Sequence, residues 1–92
     1  MSKAVVDVEK EIMAVDGELH SDQESELLAG GSKQEDLWGI NLYPSRNRED
    51  FIEFTSLINI RPHQGNFSME VDDRAVREKI KTIVFNLIDY EL

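Results

Sequence analysis

An alternation of apolar and polar residues over positions 51–61 constrains the fold more than any other feature of this chain. Successive side chains of a strand point to opposite faces, so such a pattern predicts an extended segment with one buried face. Apart from Ser56, the residues on one side are apolar: Ile52, Phe54, Ile58 and Ile60. The other side is mixed: Phe51, Glu53, Thr55, Leu57, Asn59 and Arg61. We therefore predict a long strand whose polar face is directed outward.

Two earlier segments and one neighbouring segment also have the composition of strands. Residues 4–9 and 12–15 are rich in β-branched residues, and they predict a hairpin that turns at residues 10 and 11. Residues 37–43 predict a third strand with Trp38 on its buried side, ended by Pro44. The polar residues 45–50 have the length of a hairpin loop, so the third and fourth strands should be antiparallel neighbours. Gly39 indicates a β-bulge, the commoner cause, or the close approach of a neighbouring group.

Two helices are predicted, one between the second and third strands and one after the last strand. Ser21 and Glu24 have the spacing of a capping box, which predicts a short helix that Gly30 and Gly31 end, after an Asp16-Gly17 turn. A longer helix should begin after residues 72–73, where acidic side chains favour a helix N-terminus. Its apolar stripe consists of Val76, Ile80, Ile83, Val84, Leu87 and Ile88. This stripe should cover the apolar side of the sheet.

These elements predict a single domain over residues 1–92. The predicted class is α+β, with a three- to four-stranded, mainly antiparallel sheet, a C-terminal helix packed on one face and a short second helix. The chain has no cysteine, which rules out disulfides and thiolate zinc sites and favours a cytoplasmic location. No apolar run approaches the roughly 20 residues that span a bilayer.

The net charge of −9 argues against two classes of partner. Nucleic acids and anionic membrane surfaces both attract proteins of the opposite sign. The charge is concentrated in residues 1–36, where ten acidic residues stand against three lysines, a net −7. Residues 37–92 hold nine acidic residues against seven basic ones, a net −2. The acidic part could attract a basic partner, or it could simply be a solvated surface.

One group of residues has the character of a metal site. Glu18, His20 and Asp22 alternate, so an extended segment could present two of them to one ion, with His63 added from elsewhere. The sequence contains neither an HExxH motif nor an EF-hand loop. In the alternative explanation, Glu18 and Asp22 place negative charge at the start of the helix, while His20 bonds to the backbone.

A catalytic arrangement can be drawn from the same region. His63 or His20 would be the general base beside Glu18 or Glu53, and Arg61 with Asn66 would stabilise a developing negative charge. The GxSxG nucleophile elbow is absent. A rigid loop, with Arg61 paired to a carboxylate and a turn at residues 65–66, explains the same residues without catalysis.

Four segments of the sequence form a recognisable succession: VDVEKEIMAVDGELHSD, GSKQEDLWGINLYP, IEFTSLINIRPHQGN and VREKIKTIV. They resemble a family of small bacterial and archaeal proteins catalogued as a domain of unknown function. The most specific parts are residues 17–20, residues 31–34 leading into 37–39, and residues 58–62. The resemblance implies the fold and its boundaries and implies no activity. Members of that family carry additional residues before the first strand, which implies an open apolar surface and self-association in this chain.

We predict a non-enzymatic binding or regulatory module that acts through the polar face of its sheet. That face collects Asp7, Glu9, Asn41, Glu53, Thr55, Asn59 and Arg61. The candidate binding residues are Glu18, His20, Asn41, Glu53, Asn59, Arg61, His63 and Asn66. We expect no cofactor, and a protein or small-molecule partner, with homodimerisation as one form of association.

The alternative is a small enzyme or metal-dependent site centred on Glu18, His20, Asp22, Arg61 and His63. These residues should then converge in one pocket. An interaction surface should instead spread them out beside exposed apolar residues such as Leu57 and Tyr43.

Overall fold

A computed structural model describes residues 1–88 of the chain, so the domain expected over residues 1–92 extends beyond the described residues. The strands and helices follow in the order β1 (Ser2–Asp7), β2 (Ile12–Gly17), α1 (His20–Ala29), β3 (Leu37–Leu42), β4 (Ile52–Glu53) and α2 (Arg74–Leu87). Short 3-10 turns occur at Gln34–Asp36, Leu57–Asn59 and Pro62–Gln64. None of the helices within residues 1–88 combines the length and apolar composition that crossing a membrane requires.

The strands form one open sheet in the order β2-β1-β3-β4, and every neighbouring pair is antiparallel. β1 lies inside the sheet, where it pairs with β2 on one side and with β3 on the other. At its middle, Val6 lies opposite both Met13 and Trp38. The predicted α+β class is confirmed, with a four-stranded antiparallel sheet and two helices in the described part of the chain.

The main core lies between one face of this sheet and α2. The apolar stripe of α2 is buried at Ile80, Ile83 and Val84, as its spacing predicts. The side chains that share this core are Ala4, Val6, Trp38, Ile40, Leu42, Phe51, Phe54, Val71, Ile80, Ile83 and Val84. Asp73 begins α2, because its carboxylate accepts a hydrogen bond from the Ala75 N–H at 2.8 Å. The predicted stripe is wrong only at Leu87, which is exposed.

The opposite face of the sheet lies under α1. Gln23, a buried residue of α1, donates a hydrogen bond from Nε2 to the Lys3 carbonyl of β1 at 2.8 Å. Gly17 makes this approach possible, since a Cβ at position 17 would lie 2.7 Å from Gln23 Cγ. The sheet is therefore covered on both faces, by α2 on one side and by α1 on the other.

The long fourth strand predicted over residues 51–61 is wrong. β4 contains only Ile52 and Glu53, and after one bridge from Thr55 to Glu70 the chain enters the 3-10 turn Leu57–Asn59. The turn begins at Ser56, whose Oγ accepts a hydrogen bond from the Ile58 N–H at 3.3 Å. A serine that bonds to the backbone two residues later competes with strand pairing.

The early end of β4 reverses several predicted orientations. Ile60, predicted to lie in the core, is 42% exposed, and Ile58 lies at the opposite face from α2. Asn59 and Arg61, predicted to face outward, are buried. Phe51 is also buried, but it precedes β4 and so lies outside the strand. The physical reason is that alternation holds only while the chain stays extended, and the 3-10 turn shifts the side-chain period from two to three.

Two predictions of local structure before β3 are also wrong: the cap at the start of the first helix and the turn at residues 16–17. α1 begins at His20 with Leu19 as its N-cap, and no side chain caps it, so the capping box of Ser21 and Glu24 does not form. Residues 16–17 lie within β2, where a bulge places Asp16 at φ 63°. The predicted left-handed ending of α1 is confirmed at Gly31, whose φ is 103°.

Candidate functional site

Arg61, a predicted binding residue, lies inside the protein with only 3% of its surface exposed. Its guanidinium donates to the carbonyls of Ile58 at 3.1 Å and Gln34 at 2.6 Å, and also to the Leu37 carbonyl. It pairs with Glu24 of α1 at 3.3 Å. Burial lowers the pKa of Arg61, and the charge of Glu24 opposes this effect. These bonds join α1, β3 and the loop after β4.

Asn59 and Asn66 also bond to their own chain. Asn59 bonds to both backbone groups of Gly39 and donates to the Met69 carbonyl at 3.0 Å. Asn66 donates to the carbonyls of Asn59, Ser68 and Glu70, and it accepts from the Asp72 N–H. Both side chains are buried. They hold the irregular segment between β4 and α2 against β3.

The remaining candidates for metal binding do not gather around one point. Glu18 and Asp22 are exposed on either side of the first residue of α1, and His63 is exposed in the 3-10 turn Pro62–Gln64. Within residues 1–88, no three side chains of the His, Cys, Asp and Glu types form a group that could hold a metal ion. The described structure therefore does not form the ligand set drawn from Glu18, His20 and Asp22.

The structure brings His20, Asn41 and Thr55 together in a groove of about 340 Å³. It lies on the polar face of the sheet, between the N-terminus of α1 and the residues that follow β4. We call it the Asn41 groove, and its lining is Lys3, Leu19, His20, Ser21, Asn41, Thr55, Ser56, Leu57, Ile58 and Met69. Leu19, Leu57 and Met69 give it an exposed apolar rim.

Asn41 has an unsatisfied polar atom in the wall of this groove. Its Nδ2 donates to Glu53 Oε1 at 2.7 Å and to the Thr55 carbonyl at 3.2 Å. Both partners can only accept hydrogen bonds, so the atom that faces them must be the amide nitrogen, and the positions of Nδ2 and Oδ1 cannot be exchanged. Its Oδ1 is buried and has no hydrogen-bond partner, and the residue as a whole is only 7% exposed. An unpaired buried acceptor of this kind costs about 1–3 kcal/mol.

His20 supplies a second acceptor. Its Nε2 lies 2.7 Å from the Ile40 carbonyl, and since a carbonyl can only accept, Nε2 carries the hydrogen. Burial lowers the pKa of His20; the bond to Ile40 opposes this, and the charge of Lys3 lowers the pKa further. The ring is therefore neutral at neutral pH, and its Nδ1 is left with a lone pair.

The charge of the Asn41 groove differs from that of the protein as a whole. Its lining contains no carboxylate, and Lys3 is its one permanently charged residue. By contrast, the groove beside Trp38 at the start of α2 is lined by Glu35, Asp72 and Asp73. A ligand of the Asn41 groove thus meets hydroxyl groups, apolar side chains and one ammonium group.

The sequence predicts only part of this lining. His20, Asn41 and Thr55 were among the candidate or polar-face residues, and Leu57 was singled out as an exposed apolar residue. Lys3, Leu19 and Met69 were missed because they belong to three other segments, which only the tertiary structure brings together. The one local signal was the exposed apolar character of Leu57 on a polar face.

Comparison with known proteins gives a family and nothing more specific. A family model described as "Protein of unknown function (DUF5674)" matches residues 1–87. No curated protein and no solved structure matches the chain.

Proposed function

Since the chain belongs to the DUF5674 family, whose description assigns no activity, we propose from its geometry that it is a non-enzymatic binding module. Its ligand site is the Asn41 groove, on the polar face of the sheet. The observation that carries this proposal is the buried Oδ1 of Asn41, which has no partner in a groove whose rim is apolar. Ligand sites commonly combine apolar walls with a few fixed polar groups.

The chemistry of the lining supports binding over catalysis. His20 is the only imidazole in the lining, and its Nε2 hydrogen is engaged by the Ile40 carbonyl. A general base is usually oriented by a carboxylate or paired with a nucleophile, and the lining contains no carboxylate. The groove therefore offers recognition groups without an acid and base pair.

The partner is a protein or a small molecule in the cytoplasm. The net charge of −9 disfavours nucleic acid. Leu57 and Leu19, exposed at the rim, would also suit a second copy of the chain, so homodimerisation through this groove is the particular form of protein binding to test first.

The test uses the full chain labelled with ¹⁵N and a library of small molecules that each carry an N–H donor and an apolar group. We expect binders to shift the amide signals of the groove lining. Leu57→Ala should weaken them, because Leu57 is 72% exposed and lines the groove. Phe67→Ala is the matched control, since Phe67 is 73% exposed and lies outside the lining.

Two results would contradict the proposal. One is a library that leaves the groove signals unmoved, together with a chain that light scattering finds monomeric at high concentration. The other is an equal effect of Leu57→Ala and Phe67→Ala on every binder. If the chain dimerises, Leu57→Ala and not Phe67→Ala should shift the equilibrium towards monomer.

A further inference from the structure

The N-terminus of α1 gives the Asn41 groove an affinity for negative charge. α1 has ten residues, and the N–H groups of its first turn receive no side-chain cap. Leu19, His20 and Ser21, which form this end of the helix, all line the groove. Uncapped amides and the helix dipole together favour an anion. Glu18 and Asp22 lie nearby but are exposed and outside the lining, so solvent screens their charges.

Lys3 adds a positive charge to the lining of the groove. It is half-buried in β1 and lines the groove together with His20. Its charge reaches the imidazole, because it contributes to lowering the pKa of His20. An anionic group would meet two favourable partners there, Lys3 and the helix N-terminus. Two carboxylates beside the lining, those of Glu53 and Glu70, are exposed and already accept hydrogen bonds from Asn41 and Thr55.

Asn41 shows that a simple anion is not the complete ligand. Its unpartnered Oδ1 is an acceptor, which repels an anion and requires an N–H or O–H donor. The oxygen is buried, so a neighbouring group must move before a ligand can reach it. Lys3 lies opposite Asn41 in the pairing of β1 with β3, and its flexible stem would allow such a movement.

The third wall of the groove is apolar. Leu57, Ile58 and Met69 line it, and Leu57 and Met69 are exposed in the free protein. Covering them would bury apolar surface, which is favourable at roughly 25 cal/mol per Å². A ligand that fits all three walls carries a carboxylate, an adjacent N–H and an apolar side chain.

We infer that the Asn41 groove binds an N-acylated apolar amino-acid carboxylate, with the carboxylate between Lys3 and the start of α1 and the N–H on Asn41. This inference rests on the proposed function, because it names the ligand class of the same site. The chemistry has two sources: the C-terminal residue of a peptide, or a free N-acyl amino acid. Capture of a C-terminal carboxylate by backbone N–H groups is a known mode of peptide recognition.

The experiment titrates the ¹⁵N-labelled full chain with four probes. They are N-acetyl-leucine, N-acetyl-leucinamide, 4-methylpentanoate and the tripeptide Ala-Ala-Leu. N-acetyl-leucine should shift the groove signals. N-acetyl-leucinamide, which lacks the negative charge, and 4-methylpentanoate, which lacks the N–H for Asn41 Oδ1, should each bind about tenfold more weakly. Tighter binding of the tripeptide than of N-acetyl-leucine identifies a peptide C-terminus as the source, and equal binding identifies the free acid.

Two pairs of variants test the positions of the groups. Lys3→Met should weaken N-acetyl-leucine about tenfold and leave N-acetyl-leucinamide unchanged, while Lys33→Met, on an exposed residue outside the lining, should change neither. Leu57→Ala should weaken the acid and the amide alike, and Phe67→Ala should weaken neither. The comparison of acid with amide on the unmodified chain decides the matter even if Lys3→Met does not fold.

The experiment distinguishes a failure of this inference from a failure of the proposed function. If the amide binds as tightly as the acid, or if other library molecules occupy the groove while all four probes do not, the inference is overturned and the proposed function stands. If the probes bind outside the groove, the inference is also overturned. If nothing occupies the groove, the inference and the proposed function are overturned together.

Discussion

The carboxamide of Asn59 bonds to both backbone groups of Gly39: Oδ1 accepts from the Gly39 N–H at 2.8 Å, and Nδ2 donates to the Gly39 carbonyl at 3.0 Å. A side-chain amide has the same donor and acceptor pair as a peptide group. Gly39 lies opposite Val5 of β1 on one side, but β4 pairs only with Asn41 and Leu42, so Gly39 has no strand partner on the β4 side. Asn59 takes the place of that partner.

Replacing Asn59 should destabilise the protein strongly. Asn59→Ala leaves the buried N–H and carbonyl of Gly39 unpaired and also removes the bond to the Met69 carbonyl. We expect the free energy of unfolding to fall by about 2–4 kcal/mol. Urea unfolding would measure this as a lower midpoint at unchanged slope. Asn86→Ala, at an exposed position of α2, is the control, and an equal loss in both variants would refute the pairing role of Asn59.

Gly39 should not tolerate a methyl group. A Cβ at this position would lie 2.6 Å from Ser56 Cβ and 2.7 Å from Ser56 Oγ. Gly39→Ala is therefore expected to cost about 1–3 kcal/mol, whereas Gly30→Ala, where the nearest atom is at 3.4 Å, should be tolerated. Adding Ser56→Gly to Gly39→Ala should recover part of the loss in a double-mutant cycle. Purely additive losses would show that the contact with Ser56 is not the cause.

Ser56 and Asn59 explain why only part of the fold could be predicted from the sequence. The alternation in β1 and β3 and the stripe of α2 are local patterns, and each correctly indicated an element and the side that packs in the main core, although the opposite sides of β1 and β3 are buried as well. Residues 51–61 have an equally clear strand pattern, but the Ser56 side chain ends the strand and Asn59 replaces the next pairing. Nothing local distinguishes an asparagine that replaces a strand partner from one on a wetted face.

The burial of Arg61 and the Asn41 groove could not be predicted from local sequence patterns, because both depend on residues that are distant in the sequence. Charged residues are almost never fully buried unless they are paired, so a sequence pattern directs Arg61 outward. Its burial depends on carbonyls at residues 34, 37 and 58 and on Glu24. The groove likewise combines residues from β1, α1, β3 and the segment after β4, and only the packing of α1 on the sheet brings these together.

Removing the guanidinium of Arg61 should cost more than removing an exposed one. Arg61→Met keeps an unbranched side chain and leaves buried carbonyls and Glu24 without their donor. We expect a loss of about 3–5 kcal/mol in the free energy of unfolding, the usual cost of breaking a buried pair. Arg74→Met, at an exposed position, should change it by less than about 0.5 kcal/mol. Similar urea midpoints for the two variants would exclude this role for Arg61.

Acidification should destabilise the protein in two separable ranges. The pKa of His20 is lowered from 6.5, chiefly by burial. Between that lowered pKa and pH 6.5, His20 is protonated in the unfolded chain but not in the folded chain. The stability that depends on neutral His20 is therefore fully present above pH 6.5, and it is lost as the pH falls through this range. Burial alone would raise the pKa of Asp7, but hydrogen bonds from Ser32 Oγ and from the Lys10 and Glu9 N–H groups lower it from 3.8. The contribution of Asp7 is therefore present above 3.8 and lost below it.

Urea midpoints measured from pH 7.5 to pH 3 would test both ranges with matched variants. His20→Gln keeps a donor for the Ile40 carbonyl and removes the titrating ring, so the fall in stability that begins near pH 6.5 should shrink. His63→Gln, at an exposed position, should retain that fall. Asp7→Asn should be less stable than the natural chain at neutral pH, because its amide cannot accept the Ser32, Lys10 and Glu9 bonds as strongly. That difference should narrow as the pH falls below 3.8, where the Asp7 carboxylate itself becomes protonated. A constant difference across this range would mean that the charge of Asp7 contributes nothing to the fold.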